Sequence, residues 1–230
     1  MTDPIPTGCG TLDDLLGGGF QRGTVTQVYG PPAAGKTNLA LSAALETAAA
    51  GDMTYYIDTE GLSVDRFEQL ARAHAEDVET LSARVVVAEA LDFEEQEEAV
   101  RDAEDLADRV SLVVLDSATG FYRLERTVGD EGEALRRVGR QLTHLLSLAR
   151  KHDFAVCVTN QVFADPDSES GRPRALGGHT LSHLTGSIVR LERFRGGNRR
   201  ATLEKHAARA AGDTVRFVIT ENGLESAEES

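Results

Sequence analysis

The sequence predicts an α/β fold with a mostly parallel central sheet, flanking helices and antiparallel strands at the C-terminal end. Short, nearly continuous apolar runs alternate with amphipathic helical stretches between residues 24 and 159, as in parallel strands buried on both faces. A glycine-bearing octapeptide lies between the first apolar run and the first helix. Beyond residue 185 the apolar runs are joined only by Gly/Asn turns, which is the grammar of hairpins.

In chain order, Gly17-Gly18-Gly19 marks a turn before the first core strand, Thr24–Tyr29. Residues 30–37, Gly-Pro-Pro-Ala-Ala-Gly-Lys-Thr, fit G-x-x-x-x-G-K-[ST] between that strand and a helix over Asn38–Ala50. This strand–loop–helix context is that of a phosphate-binding P-loop. Further strands are predicted at Thr54–Asp58, Arg84–Ala88, Leu112–Asp116 and Phe154–Thr159. Helices are predicted at Ser63–Ala75, with Ser63 suited to cap it, at Phe93–Val110 and at Glu131–Lys151. The Phe93–Val110 stretch has an apolar face and an almost wholly acidic one, which reads as solvated surface. Ala164–Arg174 is a polar loop. Ser187–Phe194, Ala201–Glu204 and Thr214–Thr220 are the C-terminal strands, and Leu224–Ser230 is expected to be a disordered tail.

The 230 residues suit a single domain, residues 1–230. There is no apolar stretch of membrane-spanning length and no signal segment, so a cytoplasmic location without membrane contact is expected. Cys9 and Cys157 are too few for a disulfide framework, and Cys157 reads as a buried thiol. Net charge is −14, and the bases are 21 Arg against 3 Lys. Acid excess with scarce lysine suggests a protein built for concentrated salt, where screening shortens the range of self-repulsion. The acids are unevenly placed: net charge is −15 over residues 1–115 and +6 over 117–212. The arginines of the second segment either pair with local acids on a solvated face or contact nucleic acid.

The P-loop sets the chemistry. Gly30 and Gly35 let the backbone turn and bring N–H groups toward phosphate oxygens, with Pro31, Pro32, Ala33 and Ala34 forming the body of the loop. The following helix adds the positive end of its dipole. Lys36 can reach the β- and γ-phosphates, and Thr37 can ligate Mg²⁺. Asp116, ending an apolar strand, opens onto the ligand crevice and is either a second, water-mediated Mg²⁺ holder or a strand-ending turn aspartate. Glu60, just past Thr54–Asp58, is a carboxylate able to polarise water or an exposed acid in an acid-rich chain. Gln161, just past Phe154–Asn160, is an amide able to sense the γ-phosphate through one hydrogen bond.

Together these pieces resemble the RecA/RadA recombinase family over nearly the whole chain. The matching blocks are Pro6–Gly19, the Walker A loop Gly30–Thr37, Ile57-Asp58-Thr59-Glu60-Gly61, the Walker B strand Leu112–Ser117, Phe121-Tyr122-Arg123-Leu124-Glu125, Val158–Val162, Gly177-Gly178-His179 with His183, and Phe217–Thr220 with Gly223. The resemblance implies a RecA-like P-loop ATPase core using ATP and Mg²⁺. It makes Glu60 the water-activating residue, with Lys36 beside it on the phosphates, and Gln161 a relay between nucleotide and DNA. It puts Asn38 and Arg66 at the nucleotide, with Arg66 on adenine. It assigns His179 and His183 to helix packing or loop anchoring. It implies DNA contacts from a first loop bearing Phe121, Tyr122, Arg123 and Arg126, and from a second loop, Phe163–Leu176, bearing Arg172 and Arg174 against Asp165, Asp167 and Glu169.

Departures from the full recombinases are equally specific. The N-terminal helical domain and the Phe-x-x-Ala oligomerisation motif are not found, and His206–Asp213 differs from their proline-bearing cap. These features are similar to the short archaeal paralogues. That implies an accessory of DNA repair and homologous recombination with weak ATPase activity, acting on single-stranded or branched DNA and assisting RadA and a Holliday-junction resolvase, without strand exchange of its own. The alternatives are an active DNA-dependent recombinase ATPase and a KaiC-like signalling ATPase without DNA binding.

Overall fold

In a computed structural model the chain is described over residues 3–122, 131–163, 174–194 and 197–227. The elements run α1 (Gly10–Leu16), β1 (Val25–Tyr29), α2 (Lys36–Ala49), β2 (Met53–Asp58), α3 (Val64–His74), α4 (Val78–Ser82), β3 (Val85–Glu89), α5 (Phe93–Leu106) and β4 (Val110–Asp116). They continue α6 (Glu131–His152), β5 (Ala155–Asn160), β6 (Val162–Phe163), β7 (Arg174–Ala175), α7 (Gly178–Leu184), β8 (Ser187–Arg193), β9 (Asn198–Lys205), β10 (Thr214–Ile219) and β11 (Leu224–Ser226).

Nine strands form one sheet in the order β11-β10-β9-β8-β1-β5-β4-β2-β3. The strands from β8 to β3 pair in parallel, and β9, β10 and β11 add antiparallel ladders at the other edge. The mostly parallel sheet with antiparallel C-terminal strands is thus present as the sequence predicts. Alternation along β4 shows why both faces must be covered. Leu112 and Val114 enter one core with Leu16, Leu39, Leu45, Leu70 and Phe217, beneath α1, α2 and α3. Val113 and Leu115 enter the other with Val100, Val138, Leu142, Leu145 and Phe154, beneath α5 and α6. No helix among the described residues is long and apolar enough to cross a membrane.

Local chemistry sets the helix limits. Ser63 Oγ accepts from the Arg66 amide, capping α3. The Asp92 carboxylate accepts from the amides of Glu94 and Glu95, both at 2.9 Å, at the start of α5. The expected helix Phe93–Val110 stops at Leu106: Arg109 N turns back to the Leu106 carbonyl at 2.9 Å, and Val110 is buried as the first residue of β4. Arg137 of α6 joins Glu97 of α5 at 2.8 Å and lies 4.4 Å from the centre of the Phe93 ring. The short helices α1, α4 and α7 have at most two turns and too little periodicity to be read in advance.

One end of the chain differs from expectation. Leu224–Ser226, expected to fray with the tail, is β11, paired with Phe217–Ile219 of β10. Leu224 is buried in the core beneath α1, α2 and α3, because a strand added there shields the edge of β10. Residues 228–230 lie outside the described residues. Leu224→Ala is expected to destabilise the protein by about 2–5 kcal/mol in urea unfolding, the scale of a truncated core leucine; a frayed tail would give no change.

His74 ties α3 to α2, its Nε2 lying 3.3 Å from Glu46 and its Nδ1 2.8 Å from the Leu70 carbonyl. The hydrogen bond with Glu46 raises the His74 pKa above its usual 6.5, and the same bond lowers that of Glu46 below its usual 4.5. The histidine contribution is full below the unfolded histidine value and fades as pH rises through the folded value. The glutamate contribution is full above the unfolded glutamate value and fades as pH falls through the folded value. The stability gap between the wild type and His74→Ala is therefore expected to be wider at about pH 5.5 than at about pH 8.5, measured by urea midpoints at each pH.

Candidate functional site

Parallel register brings four strand ends to one crevice. Tyr29 of β1 lies opposite Asn160 of β5, and Asp58 of β2 opposite Asp116 of β4. The loop 30–37 leaves β1 at this level and opens α2.

Close approach makes the loop's glycines obligatory. A Cβ on Gly30 would sit 2.4 Å from the Leu191 carbonyl oxygen of β8. Gly35 has φ 104° and precedes the first turn of α2 without any side-chain cap, so the helix N-terminus keeps its amides for a ligand. Ala33 is also left-handed, with φ 60°. Lys36 Nζ donates to the Gly30 and Pro31 carbonyls at 3.0 and 3.2 Å, which holds the cation across the loop. Burial lowers its pKa, opposed by the charges of Asp116 and Glu60.

Asp116 is buried, at 2% exposure. Its carboxylate accepts from Tyr56 Oη at 2.8 Å and from Thr159 Oγ1. Burial raises its pKa, and the hydroxyls of Thr159, Tyr56 and Thr37 oppose that rise. Thr37 and Asp116, both expected at the metal, are therefore neighbours. A hydroxyl and a carboxylate are hard oxygen donors of the kind Mg²⁺ takes beside phosphate.

Glu60 is aimed by its neighbours. Asp58, nearly fully buried, accepts from the amides of Glu60 and Gly61, both at 3.1 Å, and of Leu62, which fixes the turn. Thr59 Oγ1 accepts from the Ser117 amide at 2.8 Å, tying this turn to the end of β4, where the Asp116–Ser117 peptide is cis. Glu60 Oε1 accepts from Ser117 Oγ at 2.7 Å and from Gln161 Nε2 at 2.9 Å. Among the described residues its Oε2 has no hydrogen-bond donor, leaving an acceptor for a proton. Gln161 also accepts from the Leu176 amide at 3.0 Å through its carbonyl, at the foot of the β6–β7 ladder.

Arg66 and Asn38 also meet. Arg66 Nε donates to Asn38 Oδ1 at 2.9 Å, and Nη2 to the Thr220 carbonyl at 2.9 Å. The guanidinium is pinned between α2 and the β10–β11 turn.

The expected DNA residues are not gathered in the same way. Tyr122 is buried, at 3% exposure, in the core beneath α5 and α6, and Phe121 packs against that core half-buried. As placed, Tyr122 offers no ring face to a base, because the apolar surface of that core has claimed it. Arg123, Arg126 and Arg172 lie outside the described residues, as does the side chain of Arg174. Tyr56, Thr159 and Ser117 were missed as site residues. The signal was there in part: Tyr56 lies two residues before Asp58 on the same face of β2, and Ser117 directly follows Asp116.

Comparison with known proteins agrees with this geometry. The Rad51 family model matches residues 3–227. The chain is 63% identical to the DNA repair and recombination protein RadB of Halobacterium salinarum, over 97% of this chain and 95% of that protein. It is 44% identical to the protein of the same name from Methanoculleus marisnigri, over 97% and 98% of the two chains. A crystal structure titled as the RadB recombinase superposes with a TM-score of 0.85 at 40% identity, covering 97% of this chain and all of that one. With a RecA-like sheet and a P-loop at the matching place, the chain belongs to the Rad51 family, in its RadB group of DNA repair and recombination proteins.

Proposed function

We propose that this chain is an ATP-gated accessory of homologous recombination, which binds Mg²⁺–ATP and single-stranded or branched DNA, hydrolyses slowly and assists a RadA recombinase. The observation that carries this reading is the hydrogen bond from Gln161 to Glu60. It joins the acid beside the phosphate loop to the foot of the β6–β7 ladder, so nucleotide state and the segment between those strands act on one pair of side chains.

The chain's own groups divide the task. The loop amides and Lys36 hold the β- and γ-phosphates and offset their charge. Thr37 and Asp116 are the oxygen donors for Mg²⁺, which would neutralise phosphate charge when bound. Glu60, steadied by Ser117 and Gln161, accepts a proton from the attacking water through its free oxygen. Losing the γ-phosphate changes what Gln161 can bond, and the ladder feels that change.

The partner reading draws on the far edge of the sheet. Among the described strands β3 is one edge of the sheet; Val87 on it is exposed at 44%, Leu91 just past it at 71%, and Val64, which opens α3 beside Val87, at 68%. An uncovered apolar edge suits an added strand from another protein. We assign that place to RadA; a Holliday-junction resolvase is the second candidate partner.

Lys36→Ala is expected to lose tight ATP binding, and Glu60→Gln to keep binding while turnover falls about 10²-fold; fluorescent ATP titration and phosphate release check both. Unchanged values in either variant remove that residue from its role.

DNA is expected to stimulate hydrolysis weakly, with Arg123→Ala and Arg126→Ala reducing DNA affinity in filter binding across salt concentrations. Strong stimulation favours an active recombinase, and no DNA binding at any salt favours a signalling ATPase.

A further inference from the structure

Arg199 of β9 has no place in the machinery above, yet it touches the phosphate loop. A Cβ on Gly35 would lie 3.3 Å from both Cδ and Nε of Arg199. Ile219 of β10 lines the same spot, 2.7 Å from that position. Arg199 Nε is buried and has no hydrogen-bond partner among the described residues, while Nη1 donates to the Gly197 carbonyl at 2.5 Å.

Its surroundings are cationic. Across the β8–β9 ladder Arg199 is directly opposite Arg193, and on its other side it is opposite the buried Phe217. Neither arginine makes an ion pair among the described residues. The rest of the ladder is arranged differently. Arg200 meets the opposed Glu192 at 2.8 Å, and Arg190 meets Glu192 and Glu204 at 2.7 and 2.8 Å. Like charges set directly across a ladder are unfavourable. Here they stand unrelieved in a chain of net charge −14, which has carboxylates to spare. Burial first, then Arg193, lowers the Arg199 pKa. A buried guanidinium donor without an acceptor, beside a loop built for phosphate, calls for an anion.

The side of approach says which part of the anion. Glu60, Asp116 and Gln161 follow β2, β4 and β5, on one side of β1. Arg199 comes from β9, on the other side of β1, beside Ile219 and the Thr220 carbonyl that pins Arg66.

We propose that Arg199, backed by Arg193, is a further phosphate-recognition residue that donates to the α- and β-phosphates of the bound nucleotide. The inference rests on the nucleotide reading above and extends it. Those phosphates are common to ATP and ADP, so the contact strengthens both states alike. It retains the product rather than speeding the chemistry.

The test is calorimetric titration of the full chain with Mg²⁺–ADP and with a non-hydrolysable ATP analogue, alongside melting of the unliganded protein. Arg199→Ala is expected to weaken both ligands by a similar factor, about tenfold, as for loss of a charge-assisted hydrogen bond. Arg199→Lys should recover part of that loss. The unliganded Arg199→Ala protein should melt no lower than the wild type, because a like-charge opposition is relieved. ADP affinity unchanged in Arg199→Ala but lost in Lys36→Ala overturns this inference and leaves the nucleotide site standing. Weakened binding accompanied by a lower unliganded melting temperature also overturns it, as a structural role. A wild type that binds neither ligand removes the nucleotide reading itself.

Discussion

The buried carboxylate of Asp116 is the constraint on which the site depends. Two hydroxyls bond it from two different strands, Tyr56 from β2 and Thr159 from β5, and the Thr37 hydroxyl of α2 lies beside it. A charged group this far from water is tolerable only with such partners. The same bonds tie β2 and β5 to the end of β4. The loop 30–37 keeps its shape through its own glycines, with this polar knot beside its last residue, Thr37.

Around that knot the parallel register does the positioning. Strands that end nearly level bring Asp58 and Asp116 to one height, with Asn160 one residue further along, and the residues just beyond them form the rim of the crevice. Asp58 spends both oxygens on backbone amides, so Glu60 is the acid left facing outward. Two carboxylates two residues apart on one strand end therefore have different duties, set by what each bonds and how deeply each is buried.

Much of this was legible in the chain. The octapeptide 30–37, the apolar run closing on Asp116 and the amide Gln161 are local patterns, and each lies where its strand or helix context places it. What was not legible depends on residues far apart in sequence. Tyr56 reaches Asp116 across 60 positions, and Gln161 reaches Glu60 across 101. Strand and helix periodicity shows which face a residue occupies but not which partner waits there. Tyr122 illustrates the limit in the other direction: beside Phe121 and Arg123 it is expected at the DNA, yet packing against the helices makes it core. Leu224 is similar, since a leucine followed at once by Glu225 and Ser226 is ordered only because β10 offers an edge.

The Glu60–Gln161 bond has an implication that runs backwards from the usual order of cause. Coupling between two binding events is reciprocal. If a triphosphate reshapes the ladder of β6 and β7 through this amide, then a polymer gripping that ladder must retune triphosphate affinity by an identical factor. The same side-chain pair would then let the protein report its fuel to its substrate, and its substrate to its fuel.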